Sequence, residues 1–308
     1  MQKGVLGQDN AGLFKTGHYR EVMYRVCLER REKTWKRPVK TVYMNTPATG
    51  RRQQERNAAR TGRAREEMKM KTLAIWNLKG GIGKTTTAVN LAYSLVEAGK
   101  KVLLIDMDQQ GNASSMMRRY NLHQRSITEA LEGRCSVLSA IKKTWIPELS
   151  IIPADIRVRT LLPQCHLAGE KKKLTQYDYC IIDCPPAAGM ITREAVQAAN
   201  QVIIPVPATR WGCEGLDMVS DLIEEMSYRT EKKILFTMFK NNAQSRKQIQ
   251  TILESYQIPA YETAITRTED AISAENMRKP IARCRKYSQA AADYRELAKE
   301  VMEDAKVK

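Results

Sequence analysis

From residue 71 onward the hydrophobic pattern changes period repeatedly: short apolar runs give way to stretches in which apolar positions recur every three or four residues. The short runs, bounded by polar or glycine-rich segments, predict strands at 72–76, 101–105, 149–153, 179–182, 201–206 and 233–239. The longer period predicts helices at 85–98, 127–131, 192–199, 215–226, 246–256, 269–277 and 289–304. Alternation of this kind predicts an α/β fold, a mostly parallel sheet covered by helices on both faces. Ligands in such sheets gather at the carboxyl ends of the strands, so the residues that follow each apolar run are where chemistry is expected.

The first 70 residues break the pattern. His18, Tyr19, Val22, Met23, Val26 and Cys27 recur at helical spacing and predict one short amphipathic helix over 19–33. Residues 51–65 are polar, basic and almost without large apolar side chains, a composition that does not pack. Residues 1–70 hold 17 Lys/Arg against 7 Asp/Glu, so most of the chain's net charge of +17 lies there. That excess points to an anionic partner, nucleic acid first, and leaves 71–308 only moderately basic. Three readings of the segment stand side by side: a disordered tail that touches nucleic acid, a small helical DNA-binding module, and the product of an upstream start codon. The third arises because Met68 or Met70 would begin the chain directly before its first strand. With 308 residues, the expected division is a basic extension over 1–70 and one α/β domain over 71–308.

Seven cysteines, an odd number with no C-x-x-C pair, fit reduced thiols. Cys180 and Cys184 flank an apolar strand and read as packing residues rather than metal ligands. No apolar run approaches the roughly 18–20 residues of a membrane span, and the N-terminus lacks the hydrophobic stretch of a signal peptide. A cytoplasmic location without a membrane partner is expected.

The run Lys79-Gly80-Gly81-Ile82-Gly83-Lys84-Thr85-Thr86 joins the first predicted strand to the first predicted helix. Closely spaced glycines let the backbone curl so that successive N–H groups face a polyphosphate, and the following helix adds the positive end of its dipole. Lys84 is then placed to reach β- and γ-phosphates and the Thr85 hydroxyl to coordinate Mg²⁺, so ATP binding is expected. The loop departs from G-x-x-x-x-G-K-[ST] by carrying Leu78 in place of the first glycine and a second cation, Lys79.

Two further apolar strands end in acids. The first runs into Asp106-Met107-Asp108-Gln109-Gln110-Gly111-Asn112, bringing two carboxylates to the edge that carries the phosphate loop. Carboxylates beside a magnesium-bound phosphate can orient or deprotonate a water, or hold a hydrated metal. The second ends in Asp183-Cys184-Pro185-Pro186, an acid placed as in a Walker B strand, beside Mg²⁺, with two prolines that forbid helix at the exit.

The form K-G-G-x-G-K-T resembles the deviant Walker A loop of the ParA/MinD family, P-loop NTPases, and the resemblance extends over essentially all of 71–308. By that resemblance Lys79 reaches across a dimer interface to a partner's nucleotide, Asp108 positions the attacking water and Asp106 supports the metal shell. Gln109 stands where the family's D-x-D-P-Q-G-N has proline, and Ala187-Ala188-Gly189 replaces its S-L-G after the second acid, which removes a hydroxyl. Residues 235–242 resemble the segment beside the adenine, which makes Asn241 a candidate base contact.

The resemblance implies a slow ATPase that dimerises on ATP, binds DNA nonspecifically on the nucleoid, and is released when a centromere-binding, ParB-like partner stimulates hydrolysis, in the segregation of a plasmid, chromosome or mobile element. Candidate DNA contacts are Arg246, Lys247, Arg267, Arg278, Lys279, Arg283, Arg285 and Lys286; Asp270 stands where relatives often carry arginine. The alternative is a MinD-like membrane-associated switch that positions a partner. It needs a terminal amphipathic helix with basic and bulky apolar faces, and residues 290–308 are instead alanine-rich with intermixed acids. A reductase of the nitrogenase iron-protein type would need cluster-bridging cysteines further past the second acid than Cys184.

Overall fold

The computed structural model describes residues 70–306, apart from 122, 210, 211 and 228. The helix expected at 19–33, the basic stretch 51–65 and the three readings of the extension lie outside these residues. Among the described residues the strands are β1 (Lys71–Ile75), β2 (Val102–Asp106), β3 (Lys142–Lys143), β4 (Leu149–Ile152), β5 (Tyr179–Asp183), β6 (Gln201–Pro207) and β7 (Glu231–Thr237). The helices are α1 (Lys84–Glu97), α2 (Asn112–Met116), α3 (Ile127–Leu131), α4 (Val137–Ala140), α5 (Leu167–Glu170), α6 (Met190–Ala198), α7 (Leu216–Met226), α8 (Ala243–Ser255), α9 (Asp270–Asn276), α10 (Ile281–Cys284) and α11 (Gln289–Lys306).

The strands form one sheet in the order β3-β4-β2-β5-β1-β6-β7, parallel throughout except for the β3–β4 pair. β1, β2, β5 and β6 read as near-continuous apolar runs because a parallel strand is covered on both sides. From β1 the chain runs outward to β2 on one side, whereas from β5 it runs to β6 and β7 on the other. Ligands bind where those directions diverge, at the carboxyl ends of β1 and β5.

One face is packed by α1 and α11. Leu73 and Ile75 of β1, Leu91 and Leu95 of α1, and Leu297 and Val301 of α11 share one buried cluster. Burial of each such side chain contributes about 1.5–3 kcal/mol. Polar ties fix the helix positions: the Ile281 N–H donates to Asn90 Oδ1 at 2.7 Å, and Arg295 pairs with Glu97 at 2.9 Å. α6 packs against β1 and against α7, completing the two-sided cover.

Several boundaries differ from expectation for identifiable reasons. β2 and β5 extend by one residue, so that Asp106 and Asp183 are the last residues of their strands rather than the first beyond them. β7 starts at Glu231, earlier than 233, because its polar first residues pair with Gln201–Ile203 of β6. It stops at Thr237 because Met238 adopts φ 53°, which an extended strand cannot continue. α8 begins at Ala243, three residues early, where Asn242 Oδ1 accepts the Ser245 N–H at 2.9 Å. α2, α4, α5 and α10 span five residues or fewer, too short to show a helical period. Cys180 and Cys184 are fully buried, and burial pushes the Cys180 thiol up to about 12. No described helix is long and apolar enough to cross a membrane.

Candidate functional site: a phosphate loop flanked by two strand-end carboxylates

The register of the central strands assembles the site. Asp183 at the end of β5 is level with Ile75 of β1 on one side and Asp106 of β2 on the other. The loop 76–83 therefore springs from the strand beside Asp183. Gly83, at φ 91°, turns the chain directly into α1, a backbone conformation that a side chain would strain. α1 has no side-chain cap and no acid in its first turn, so its leading N–H groups and dipole are left for an anion.

Buried side chains from both sides hold the loop, and no local pattern in the chain announces them. Asn77, 4% exposed, donates through Nδ2 to the Pro205 carbonyl at 2.9 Å and accepts the Lys79 N–H on Oδ1 at 3.1 Å. Pro205 lies beyond Ile203, the last β6 residue paired with β1, so its missing N–H costs that ladder nothing. On the other flank the Thr237 hydroxyl donates to the Ile82 carbonyl at 3.1 Å. These partners lie 128 and 155 positions apart in the chain, beyond the reach of any local pattern.

Lys84 is buried, and its ammonium donates to the Lys79 carbonyl at 2.5 Å. Burial lowers its pKa, with Asp183 and Asp108 pulling the other way. Asp183 is wholly buried, and neither of its oxygens has a hydrogen-bond partner. Burial, with Asp106 adding repulsion, pushes its carboxyl well up; the nearby Thr85 hydroxyl works against this without closing a hydrogen bond of normal geometry. An orphaned buried carboxyl beside a half-buried threonine hydroxyl is the donor set of a hard cation shared with a phosphate. Among the described residues no group of three or more His, Cys, Asp or Glu could hold a metal ion by itself, which fits a cation carried in with a polyphosphate.

The two expected carboxylates of the 106–108 segment differ. Asp106 is saturated: Oδ1 accepts the Asp108 N–H at 3.1 Å, and Oδ2 accepts the Ser114 N–H at 2.8 Å and the Ser114 hydroxyl at 2.7 Å. Burial pushes its carboxyl up to about 6 against those bonds. Its direct task is to fix the start of α2, so support of a metal shell would run through the neighbouring groups. Asp108 is 8% exposed and accepts the Gln110 N–H on Oδ1 at 3.0 Å, which holds its carboxyl at the mouth of the turn before Gly111.

Lys79, the second cation, pairs with Glu214 of the same chain at 3.3 Å; both side chains are substantially exposed. Gly80 and Gly81 are exposed, Ile82 is buried, and the Thr86 carbonyl accepts from Asn90 Nδ2 at 2.7 Å. Asn241 is exposed and its Oδ1 accepts from Arg246 at 2.6 Å. Of the basic candidates, Arg246 and Lys247 lie on α8, and Arg278, Lys279, Arg283, Arg285 and Lys286 on the hairpin around α9 and α10. Arg267 precedes that hairpin and bonds through its N–H to the Phe239 carbonyl at 2.8 Å. Arg285 faces Asp270 at 3.5 Å. Arg283 lies over the Trp145 ring at 5.3 Å and Arg118 lies over the same ring at 5.4 Å, so the ring gathers cations from separate segments of the chain.

A family model described as an AAA domain matches residues 70–236. The sporulation initiation inhibitor protein Soj of Bacillus subtilis (strain 168) is 35% identical over 250 residues, covering 75% of this chain and 98% of Soj. The chromosome partitioning protein ParA of Caulobacter vibrioides (strain NA1000 / CB15N) is 31% identical over 257 residues, covering 76% and 94%. In structure, cobyrinic acid a,c-diamide synthase from Mycobacterium smegmatis, solved with a bound ATP analog and magnesium, superposes with a TM-score of 0.63 at 27% identity, over 76% of this chain and 94% of that one. With a family match over more than half of the chain, and relatives at 31–35% identity that cover about three quarters of it and nearly all of their own length, the chain belongs to the ParA/MinD-type P-loop ATPases.

Proposed function

We propose that this protein is an ATP-dependent partitioning switch: it binds ATP with Mg²⁺, dimerises on it, holds DNA nonspecifically as the dimer, and lets go when hydrolysis removes the triphosphate. The observation that carries the reading is the pair of unpartnered, fully buried Asp183 oxygens beside Lys84 and Thr85 at the head of an uncapped helix. Buried polar groups are paired in nearly all proteins, so a charge-bearing group left bare marks a ligand's place.

In this mechanism the α1 N-terminus and Lys84 bind the β- and γ-phosphates, Thr85 and Asp183 would hold Mg²⁺, and Asp106 keeps the acid-bearing turn in place through Ser114. When bound, the ion supplies charge neutralisation between the phosphates. Asp108 holds the attacking water and takes its proton. Lys79 exchanges Glu214 for the nucleotide of a second copy, so triphosphate occupancy governs pairing. Asn241 contacts the base. Hydrolysis is slow until a ParB-like, centromere-binding partner stimulates it.

A dimer doubles the phosphate contacts of a moderately basic surface, so ATP sets DNA affinity without base reading. The contacts are drawn from Arg246, Lys247, Arg267, Arg278, Lys279, Arg283 and Arg285. On this reading residues 71–308 form the ATPase domain, 1–70 a basic extension, and the protein works in the cytoplasm on the nucleoid.

Filter binding to random-sequence DNA tests the reading, with ATP, ADP and no nucleotide compared. Retention with ATP alone is expected. It should fall by about 10³–10⁵ between 50 and 200 mM salt if roughly 6–10 phosphates are engaged. Equal retention in the three states, or a flat salt response, overturns it.

A further inference from the structure

Gln109 occupies the second position of the tight turn from Asp108 to Gly111, which the Gly111 N–H closes onto the Asp108 carbonyl at 2.9 Å. Proline is favoured at the second position of such turns because its ring presets the required φ. Glutamine offers no such advantage. It offers a carboxamide, and the Gln109 Oε1 is buried with no hydrogen-bond partner. Leaving a buried amide oxygen unpaired costs on the order of 1–3 kcal/mol.

The location gives this cost a purpose. Among the described residues, buried side-chain oxygens without a partner occur on Thr72, Gln109 and Asp183. Two of those three lie on neighbouring segments at the carboxyl edge of the sheet: Asp183 ends β5, and Gln109 follows three residues after Asp106, its register partner at the end of β2. Across the site, the exit from β5 runs Pro185-Pro186-Ala187-Ala188-Gly189 and brings no polar side chain to the phosphates. An uncharged side-chain acceptor that could orient a water is therefore present on the Asp108 side and absent from 185–189.

We propose that Gln109 is a second water-positioning residue, whose Oε1 accepts a hydrogen bond from the water held by Asp108 once ATP is bound; this rests on the ATPase reading above. In the step itself the water oxygen bonds to the γ-phosphorus as the bond from that phosphorus to the β–γ bridging oxygen breaks. The bridging oxygen leaves on ADP with its electron pair. The water's proton passes to Asp108 and on to the inorganic phosphate. Gln109 takes no proton and contributes orientation alone, an effect on the rate rather than on ground-state binding.

Single-turnover ATP hydrolysis and the affinity for a fluorescent ATP analogue, measured on the full chain and on Q109M, Q109P and D108A, test this. Methionine keeps the length and loses the acceptor; proline restores the preset turn. The hydrolysis rate of Q109M and Q109P should drop about 10-fold or more, with affinity within about twofold of the parent and Q109P melting no lower. A Q109M rate within twofold of the parent overturns the proposal, as does a rate loss matched by an equal loss of affinity. If Q109P does not fold, Q109M decides alone. A parent no more active than D108A removes the ATPase reading and this proposal with it, whereas an active parent with equally active Q109 variants removes this proposal only.

Discussion

The ammonium of Lys84 donates to the backbone carbonyl of Lys79, 2.5 Å away, so the two cations of the loop are linked through the first one's peptide group. Lys84 is buried, its charge disfavoured by that burial and supported by Asp183 and Asp108. A phosphate arriving at the loop replaces a neutral carbonyl with an anion as its partner. K84A should therefore weaken nucleotide binding by about 10- to 100-fold, the worth of a charge-assisted hydrogen bond of ~1.5–3 kcal/mol. It should also abolish ATP-induced dimers in sedimentation; an unchanged dimer would remove Lys84 from the phosphate site.

Lys79 and Glu214 lie 135 positions apart and meet at 3.3 Å on an exposed surface, where such a pair is worth about 0–1 kcal/mol. If Lys79 must leave Glu214 to serve a second copy, E214Q relieves that competition and costs the fold no more than the pair itself is worth. Sedimentation with a nonhydrolysable ATP analogue should show E214Q pairing at protein concentrations up to about fivefold lower than the parent, with a melting temperature lowered by no more than about 4 °C. A shift to higher concentrations would mean that Glu214 itself supports the dimer.

Asn77 ties the loop to β6 with both ends of its carboxamide. N77A leaves the Pro205 carbonyl and the Lys79 N–H without that partner, which should lower unfolding free energy by about 2–3 kcal/mol in urea titrations. Nucleotide affinity should fall with it, because the loop loses its anchor. Stability equal to the parent would show that the Asn77 bonds add nothing to the folded state.

Acid sensitivity should trace to a cluster away from the phosphates. The Ser126 hydroxyl lies 2.6 Å from a carboxyl oxygen of both Asp155 and Glu129, and Arg157 bonds to both acids. Burial acts to raise the Asp155 carboxyl, but Arg157 and Ser126 outweigh it; for Glu129 the same opposition is won by Ser126 and then Arg157. Both carboxyls are thus held below their ordinary values of 3.8 and 4.5. A depressed carboxyl stabilises the fold above its unfolded value and loses that contribution as pH falls through the folded one. R157M should cost about 1–2 kcal/mol at pH 7, discounted for the half-exposed guanidinium, and the gap from the parent should narrow below about pH 4.5. Urea midpoints at pH 7 and pH 3.5 measure it; a gap that widens in acid contradicts the assignment.

What the chain determined by itself was periodic or local. Six of the seven strands, the long helices and the loop 79–86 follow from apolar spacing and from glycines beside Lys84, since these act over a few residues. The strand-end acids were legible for the same reason: an apolar run followed by Asp106 or Asp183 needs no partner to be recognised. Tertiary structure decided what those acids do. Their shared register made neighbours of Asp106 and Asp183, and Ser114 then saturated the one while no hydrogen bond of normal geometry closed on the other. The anchors Asn77 and Thr237, the Lys79–Glu214 pair and the contact of Arg283 with the Trp145 ring join segments far apart in the chain. No propensity encodes such contacts, because each exists only after the sheet has set its strand order; the same closure buried the Gln109 carboxamide oxygen beside Asp108 and left it unpaired.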